Sequence, residues 1–219
     1  MKKYSTLLLV FISIYCHAQV ITDLSSWTQV TLSYDVNKKN NLSFDEQCRA
    51  DKSISHISTF NTDLEWKHNL NKLFDVSIGY RYSYKTENVS YHRFNLDLSY
   101  TYKKKKFQIS DRLRYQKQFS VNPIDNYIRD KLSVKYKKLK KFTPEVAAEI
   151  FFHSNYKYNQ FEQYRIYAGG AYKLNAEFSI ELNYILLKEF NLSYPSLDNV
   201  IFLNVEYKIP SLKKKKKTS

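Results

Sequence analysis

The chain has 219 residues, a formal charge of +14 and a mean hydropathy of −0.56. After residue 19 no stretch approaches the roughly 18 consecutive apolar residues of a membrane-spanning helix, which excludes a helical membrane protein. Cys16 and Cys48 are the only cysteines, too few for a disulfide framework.

Residues 1–19 read MKKYSTLLLVFISIYCHAQ: a basic start at Lys2 and Lys3, an apolar run from Leu7 to Ile14, and small Ala18 before Gln19. That order predicts a cleaved secretory signal peptide at 1–18, its apolar run being shorter than the about 20 residues a spanning helix needs. Bulky Tyr15 stands where a lipoprotein anchor at Cys16 would need a small residue. Without the leader only Cys48 remains, as a small apolar filler. Removing Lys2 and Lys3 takes the charge from +14 to +12, and setting aside residues 213–217 leaves +7 for the body. The lysines gather in turns and in the tail as solvated caps, so the basic balance predicts no nucleic-acid partner.

From there the chain alternates apolar and polar residues, the period-two signature of strands with a different medium on each face. Val30, Leu32, Tyr34 and Val36 form the first clear run. In chain order there follow FDVSIGYRYSY at 74–84, with Phe74, Val76, Ile78, Tyr80, Tyr82 and Tyr84 on one face, then Phe94 to Tyr102, Val146 to Phe152 and Ile201 to Ile209. Such runs number about eleven, many of them about ten residues long, the length that crosses a bilayer when tilted. Twenty tyrosines and 14 phenylalanines against 3 glycines and 4 prolines suit long, regular strands.

The connections alternate too. Short turns are predicted at 37–40, 69–72, 103–106, 137–141 and around Asn175, and longer links at 85–90, 119–126, 155–161 and 189–197. Short periplasmic turns and longer outer loops are how an outer-membrane barrel is strung. The expected fold is therefore all-β: an antiparallel up-and-down transmembrane β-barrel over 19–210, followed by a lysine-rich periplasmic tail at 211–219. Because bacterial barrels have even strand counts, the expectation is about twelve strands, with about ten as the alternative and residues 20–25 as a hidden strand. Tyr34, Tyr84, Tyr102, Tyr115, Tyr136, Tyr172, Tyr184 and Tyr207 fall near strand ends on the apolar face, as two aromatic girdles at the membrane surfaces.

The segments GYRYSY at 79–84, YHRFNLDLSY at 91–100, DRLRYQ at 111–116, IRDKLSVKY at 128–136, PEVAAEIF at 144–151 and YRIYAGGAYKL at 164–174 resemble the domain of unknown function 2490 family of small outer-membrane barrels. The resemblance spans nearly all of the mature chain. It implies the barrel fold and supplies no catalytic residue.

If the apolar face meets lipid, the polar face fills the lumen. There the pattern places Arg81, Arg93, Asp97, Arg112, Arg114, Arg129, Lys131, Glu145, Glu149, Arg165 and Glu181 as a charge network of mixed sign. A two-residue turn at Lys104 and Lys105 would set Asp97 opposite Arg112, and the next short turn brings Arg129 and Lys131 near Glu145 and Glu149. The face is nearly balanced, so the lumen reads as ion-paired and structural, or as a narrow passive polar pore. Glu46, Asp111 and Asp130 break the pattern by falling on the lipid face, Asp130 near an outer strand end and Asp111 nearer the middle.

No catalytic constellation stands out, so no enzyme is predicted. His92, at the outer rim opposite Tyr82, lacks a placed serine for a lipid-modifying enzyme. His56, His68 and His153 lie on separate strands without ligand spacing, so no metal or other cofactor is expected. Gly169 and Gly170 sit inside a strand, for a bend or close packing, and not in a phosphate-binding loop. The expected partners are outer-membrane lipid and, during biogenesis, the barrel-assembly machinery. A soluble exported barrel with its oily face inward around an apolar ligand is the other reading, since alternation does not reveal which face is outside.

Overall fold

The computed structural model describes residues 21–119, 124–155 and 159–210. The predicted leader with Cys16 and the tail at 211–219 lie outside the described residues. None of the described segments is a helix long and apolar enough to cross a membrane, which says nothing of crossing by strands.

Alternation is realised as eleven strands: β1 (Ile21–Asp35), β2 (Asn40–Asp51), β3 (His56–Asn69), β4 (Phe74–Lys85), β5 (Val89–Lys104), β6 (Phe107–Phe119), β7 (Asp125–Tyr136), β8 (Phe142–Ser154), β9 (Asn159–Lys173), β10 (Phe178–Glu189) and β11 (Ser196–Ile209). Each pairs antiparallel with its neighbours in sequence, and the sheet closes on itself through β1 and β11. The expected twelve strands, and the alternative ten, are corrected by this closure. In an up-and-down sheet with an odd number of strands the first and last run in the same sense, so β1 and β11 pair in parallel. Residues 21–25, expected as part of a hidden strand, belong to β1 itself.

The seam is held by more than its backbone ladder. Inside the barrel Thr31 Oγ1 donates to Asn204 Oδ1 at 3.1 Å and Ser33 Oγ to Glu206 Oε1 at 2.8 Å, while Lys208 Nζ meets Asp35 Oδ2 at 2.6 Å. A parallel ladder is somewhat weaker per residue than an antiparallel one, and these side-chain bonds add to it.

Which face is outside is plain. Val30, Leu64, Ile78, Leu96, Leu132, Val146 and Leu182 stand outward, Val146 being 58% exposed and Leu182 55%, whereas Asn61, Ser77, Ser83 and Asn95 on the opposite face are buried. Among the described residues the buried apolar side chains are only Ala147, Phe151, Ile185, Leu187 and Val200. The arrangement with an oily interior is therefore not this fold.

Strands of 12–16 residues run further than the sequence runs indicated and absorb much of the predicted links. Among the described residues, 36–39, 70–73, 105–106, 137–141 and 174–177 form one rim, and 52–55, 86–88 and 190–195 the other. The two sets overlap in length, against the expected division into short turns and longer loops. Charge separates them instead: the first set carries nine lysines and one acid, Glu177, and the second one lysine, Lys52, and Glu87.

The hairpin from β5 to β6 also differs from expectation. Lys104 pairs with Phe107, the turn is Lys105–Lys106, and Asp97 lies opposite Arg114 instead of Arg112. Lys105 takes φ 51°, a left-handed conformation that lets two residues close the hairpin. The hairpin from β4 to β5 is as predicted, with Tyr82 opposite His92. A Cβ at Gly169 would collide with the carbonyl of Leu182 and with Asn183, and one at Gly170 would come 2.6 Å from the carbonyl of Thr143, so both glycines serve close packing.

The three outward acids stay outward. Glu46 accepts the Thr62 hydroxyl at 2.9 Å. Asp111 and Asp130 lie against each other, and Asp130 is mid-strand in β7 instead of near an end. Cys48, a free thiol, faces outward between Thr28 and Phe60.

The seam has a direct test. In a Cys48→Ser background, Ser26→Cys with Ile201→Cys, partners in the parallel register, should oxidise to an intramolecular disulfide seen by mass and thiol titration. Ser26→Cys with Val205→Cys should stay reduced. The reverse outcome would refute parallel closure.

Candidate functional site

The eight predicted girdle tyrosines all face outward, but not at two even heights. Tyr34, Tyr102, Tyr136, Tyr172 and Tyr207 stand at the lysine rim and Tyr84 at the other. Tyr115 and Tyr184 lie deeper and point their hydroxyls to Asn126 and Asn199, toward the rim opposite the lysines. Phenylalanines complete the belts: Phe74 packs on Tyr100, Phe107 on Tyr136 and Phe178 on Tyr207 at the lysine rim, and Phe94 on Phe119 and Phe152 on Phe161 toward the other. Between the belts the outward side chains are mainly aliphatic.

The eleven predicted lumen residues all project inward. At the centre Glu149 is fully buried and accepts four bonds: Arg112 Nη2 at 3.0 Å, Arg129 Nε at 3.1 Å, Arg129 Nη2 at 2.8 Å and the Tyr167 hydroxyl at 2.6 Å. Arg114 binds Asp97 through two nitrogens at 2.7 and 2.6 Å, with Glu65 at 3.8 Å, and Arg81 Nε meets Asp63 at 2.6 Å. Glu145 pairs with Lys135 at 2.9 Å, and not with Arg129 or Lys131. Lys131, although opposite Glu149 in the ladder, sits with its Nζ 3.9 Å from the centre of the Tyr167 ring. Glu181 accepts from Asn183 at 2.5 Å.

Three predicted members, Arg93, Lys131 and Arg165, have no carboxylate at ion-pair distance among the described residues, and neither has Arg49, which the sequence reading missed. Their partners are neutral. Arg93 Nη2 donates to Gln118 Oε1 at 2.7 Å, Arg49 Nε to Gln47 Oε1 at 2.7 Å and Arg165 Nη2 to Gln163 Oε1 at 2.9 Å. Aromatic faces steady the guanidinium planes: Arg49 lies 4.1 Å and Arg165 5.3 Å from the centre of the Trp27 ring, and Arg165 and Arg129 lie 4.5 and 4.4 Å from that of Phe151.

These groups surround a cavity of about 780 Å³ running from mid-depth toward the rim opposite the lysines. Nine cationic side chains line it, seven of them arginines, against Glu162, Glu181 and Glu189. The balance expected of the inward face as a whole does not hold at the wall of this cavity. The inward acids are spread along the axis: Asp75, Glu145 and Glu206 lie toward the lysine rim, Asp23, Asp51, Asp125 and Asp198 at the opposite rim, and Asp97 and Glu149 are buried behind the arginines of the cavity wall.

Glu162 reaches the cavity through an irregularity in the ladder. Phe151 pairs with Gln163 and Phe152 with Phe161, so Glu162 is an extra residue, and both it and Gln163 line the lumen. Glu162 accepts or shares a proton with His153 Nδ1 at 2.8 Å, Asp125 does so with Nε2 at 2.9 Å, and Tyr127 stacks on the imidazole at 4.5 Å. His56 contacts Asp51 and His68 contacts Asn40, each at 2.8 Å. Among the described residues no group of His, Cys, Asp and Glu is arranged to hold a metal ion. His92 faces outward and bonds to the Tyr80 hydroxyl at 2.6 Å, so its partner is a phenol and not a serine.

Trp27, Tyr91, Tyr127, Phe151 and Phe202 also line the cavity, aromatic residues on the face expected to be polar. Trp27 had a sequence signal, since its odd position opposes Leu32 and Tyr34 on β1. Arg49 had the same signal, sharing parity with Gln47.

Removing the charge of the central acid, Glu149→Gln, would leave the buried guanidinium of Arg129 and the half-buried one of Arg112 without their carboxylate. Detergent-solubilised protein should lose about 3–5 kcal/mol of stability in urea unfolding. A change below about 1 kcal/mol would show that the cluster is not a structural keystone.

A family model described as "Protein of unknown function (DUF2490)" matches residues 24–194 of this chain. No curated protein matches it significantly.

Proposed function

The chain belongs to that family, and on this premise we propose that it is an integral outer-membrane barrel whose lumen is a narrow passage for small polar solutes, favouring anions. One observation carries the membrane part: an outward aliphatic band between two aromatic belts, wrapped around a polar lumen. In water, so much contiguous exposed apolar surface drives association. In a bilayer the same surface meets acyl chains and the ring edges meet the interface. Export through the leader at 1–18 and insertion by the barrel-assembly machinery are the route this reading requires.

The anion preference comes from the cavity wall. Four of the nine lining cations pair with Asp63, Asp97 and Glu149. The other five, Arg49, Lys85, Arg93, Lys131 and Arg165, outnumber the three acids on the wall, which gives a positive potential in a confined space where low-dielectric walls focus the field. The same wall argues for passage or retention of solute rather than chemistry: its arginines stay protonated and its acids are occupied by bonds to other side chains. We assign no catalytic role to His92, whose hydrogen bond is to Tyr80.

Expressed in a Gram-negative host, the protein should fractionate with outer membrane and migrate faster on gels unboiled than boiled. Protein that stays in solution without detergent would end the membrane reading. In planar bilayers under a KCl gradient, the reversal potential should lie on the chloride side of zero. Cation preference, or a silent bilayer containing folded barrel, would end the pore reading and leave a structural role.

A further inference from the structure

We infer that Arg49, Arg93 and Arg165 form a discrete binding site for a multivalent oxyanion of the phosphate class inside the lumen. The inference rests on the cationic-lumen reading above and makes it specific.

The placement is the first argument. The three arginines stand on β2, β5 and β9, which are spaced by three, four and four positions around the eleven-strand ring. They approach from three sides of the barrel and all line the same cavity. Arg49 lies within electrostatic reach of both Arg93 and Arg165, and Arg93 within reach of Arg165. Like charges so disposed repel, and the acids within their electrostatic reach are committed elsewhere, Asp63 to Arg81 and Glu149 to Arg112 and Arg129.

The manner of support is the second. Glutamine carbonyls and aromatic faces fix these side chains without cancelling their charge, in contrast to Arg81, Arg112, Arg114 and Arg129, which are ion-paired with acids. Neutral props hold a guanidinium in place while keeping its field available.

The third argument is unspent donors. Nε of Arg93 and Nε of Arg165 are buried and have no acceptor. A buried donor left without a partner is costly, and a guanidinium fork matches the paired oxygens of phosphate or sulfate, whereas chloride is one point acceptor. A cavity of about 780 Å³ leaves room for a phosphate ester as well as for the free ion.

The test titrates inorganic phosphate, by calorimetry, into detergent-solubilised full-length protein at constant ionic strength set with sodium chloride. Saturable binding at one site is expected, in preference to chloride. Each of Arg49→Gln, Arg93→Gln and Arg165→Gln should weaken it about tenfold. Lys105→Gln with Lys106→Gln, which removes charge from the rim outside the cavity, should leave it unchanged. Equal weakening by the rim variant, or phosphate held no better than chloride, would overturn the site. Arg93→Lys keeps the charge and loses the fork, and full-strength binding by that variant would overturn the oxyanion geometry. A glycerol phosphate titration separates ester from free ion: comparable binding assigns the phosphate group itself, and its absence restricts the site to the free ion. Gel migration of the same samples before and after boiling reports the membrane barrel independently, so either reading can fail alone.

Discussion

A sheet whose strands alternate in direction must find a partner for its first and last members, and here their number decides what kind. With eleven strands, β1 and β11 run in the same sense, and the only closure open to them is a parallel ladder. Once closed, every strand has two neighbours and no backbone edge is exposed. Closure also assigns each side chain to one of two media, since period two leaves no third direction. The oily belts outside and the charged lumen inside are both products of that geometry.

Much of this was legible in the sequence because parity is legible. All eleven predicted lumen residues face inward, all eight tyrosines face outward, and even the outward acids Glu46, Asp111 and Asp130 keep the side that alternation assigned them. Height was harder to read. The run Lys103 to Lys106 offers several equivalent pairs for the turn, and nothing in four identical side chains says which residue will adopt positive φ. The choice of Lys105 moved Asp97 by one pair, from Arg112 to Arg114. The even strand count came from a generalisation about other barrels and not from any residue of this chain, which is why it failed while the raw count of runs held.

The charge of the lumen shows the same division between side and height. Summed over the inward face, acids and bases nearly cancel, and parity gives that sum. What parity does not give is their distribution along the axis. Asp75, Glu145 and Glu206 fall toward one rim, and the arginines gather at mid-depth and beyond. Trp27 and Phe151 were overlooked for a related reason. Expecting polar residues inside, one does not look for aromatic ones, yet their flat faces are what hold Arg49, Arg129 and Arg165 in place.

The parallel seam also constrains how the molecule is made. Thr31 and Asn204, which bond across it, are 173 residues apart in the chain, so the ring cannot shut until nearly the last strand has been delivered. Until then two raw edges wait for partners, and the entropy of bringing such distant segments together must be met all at once. A copy lacking β11 cannot reuse this joint, because β1 and β10 run in opposite senses. Completeness is thereby set by topology: only a chain that carries its final strand can shut the ring through this joint.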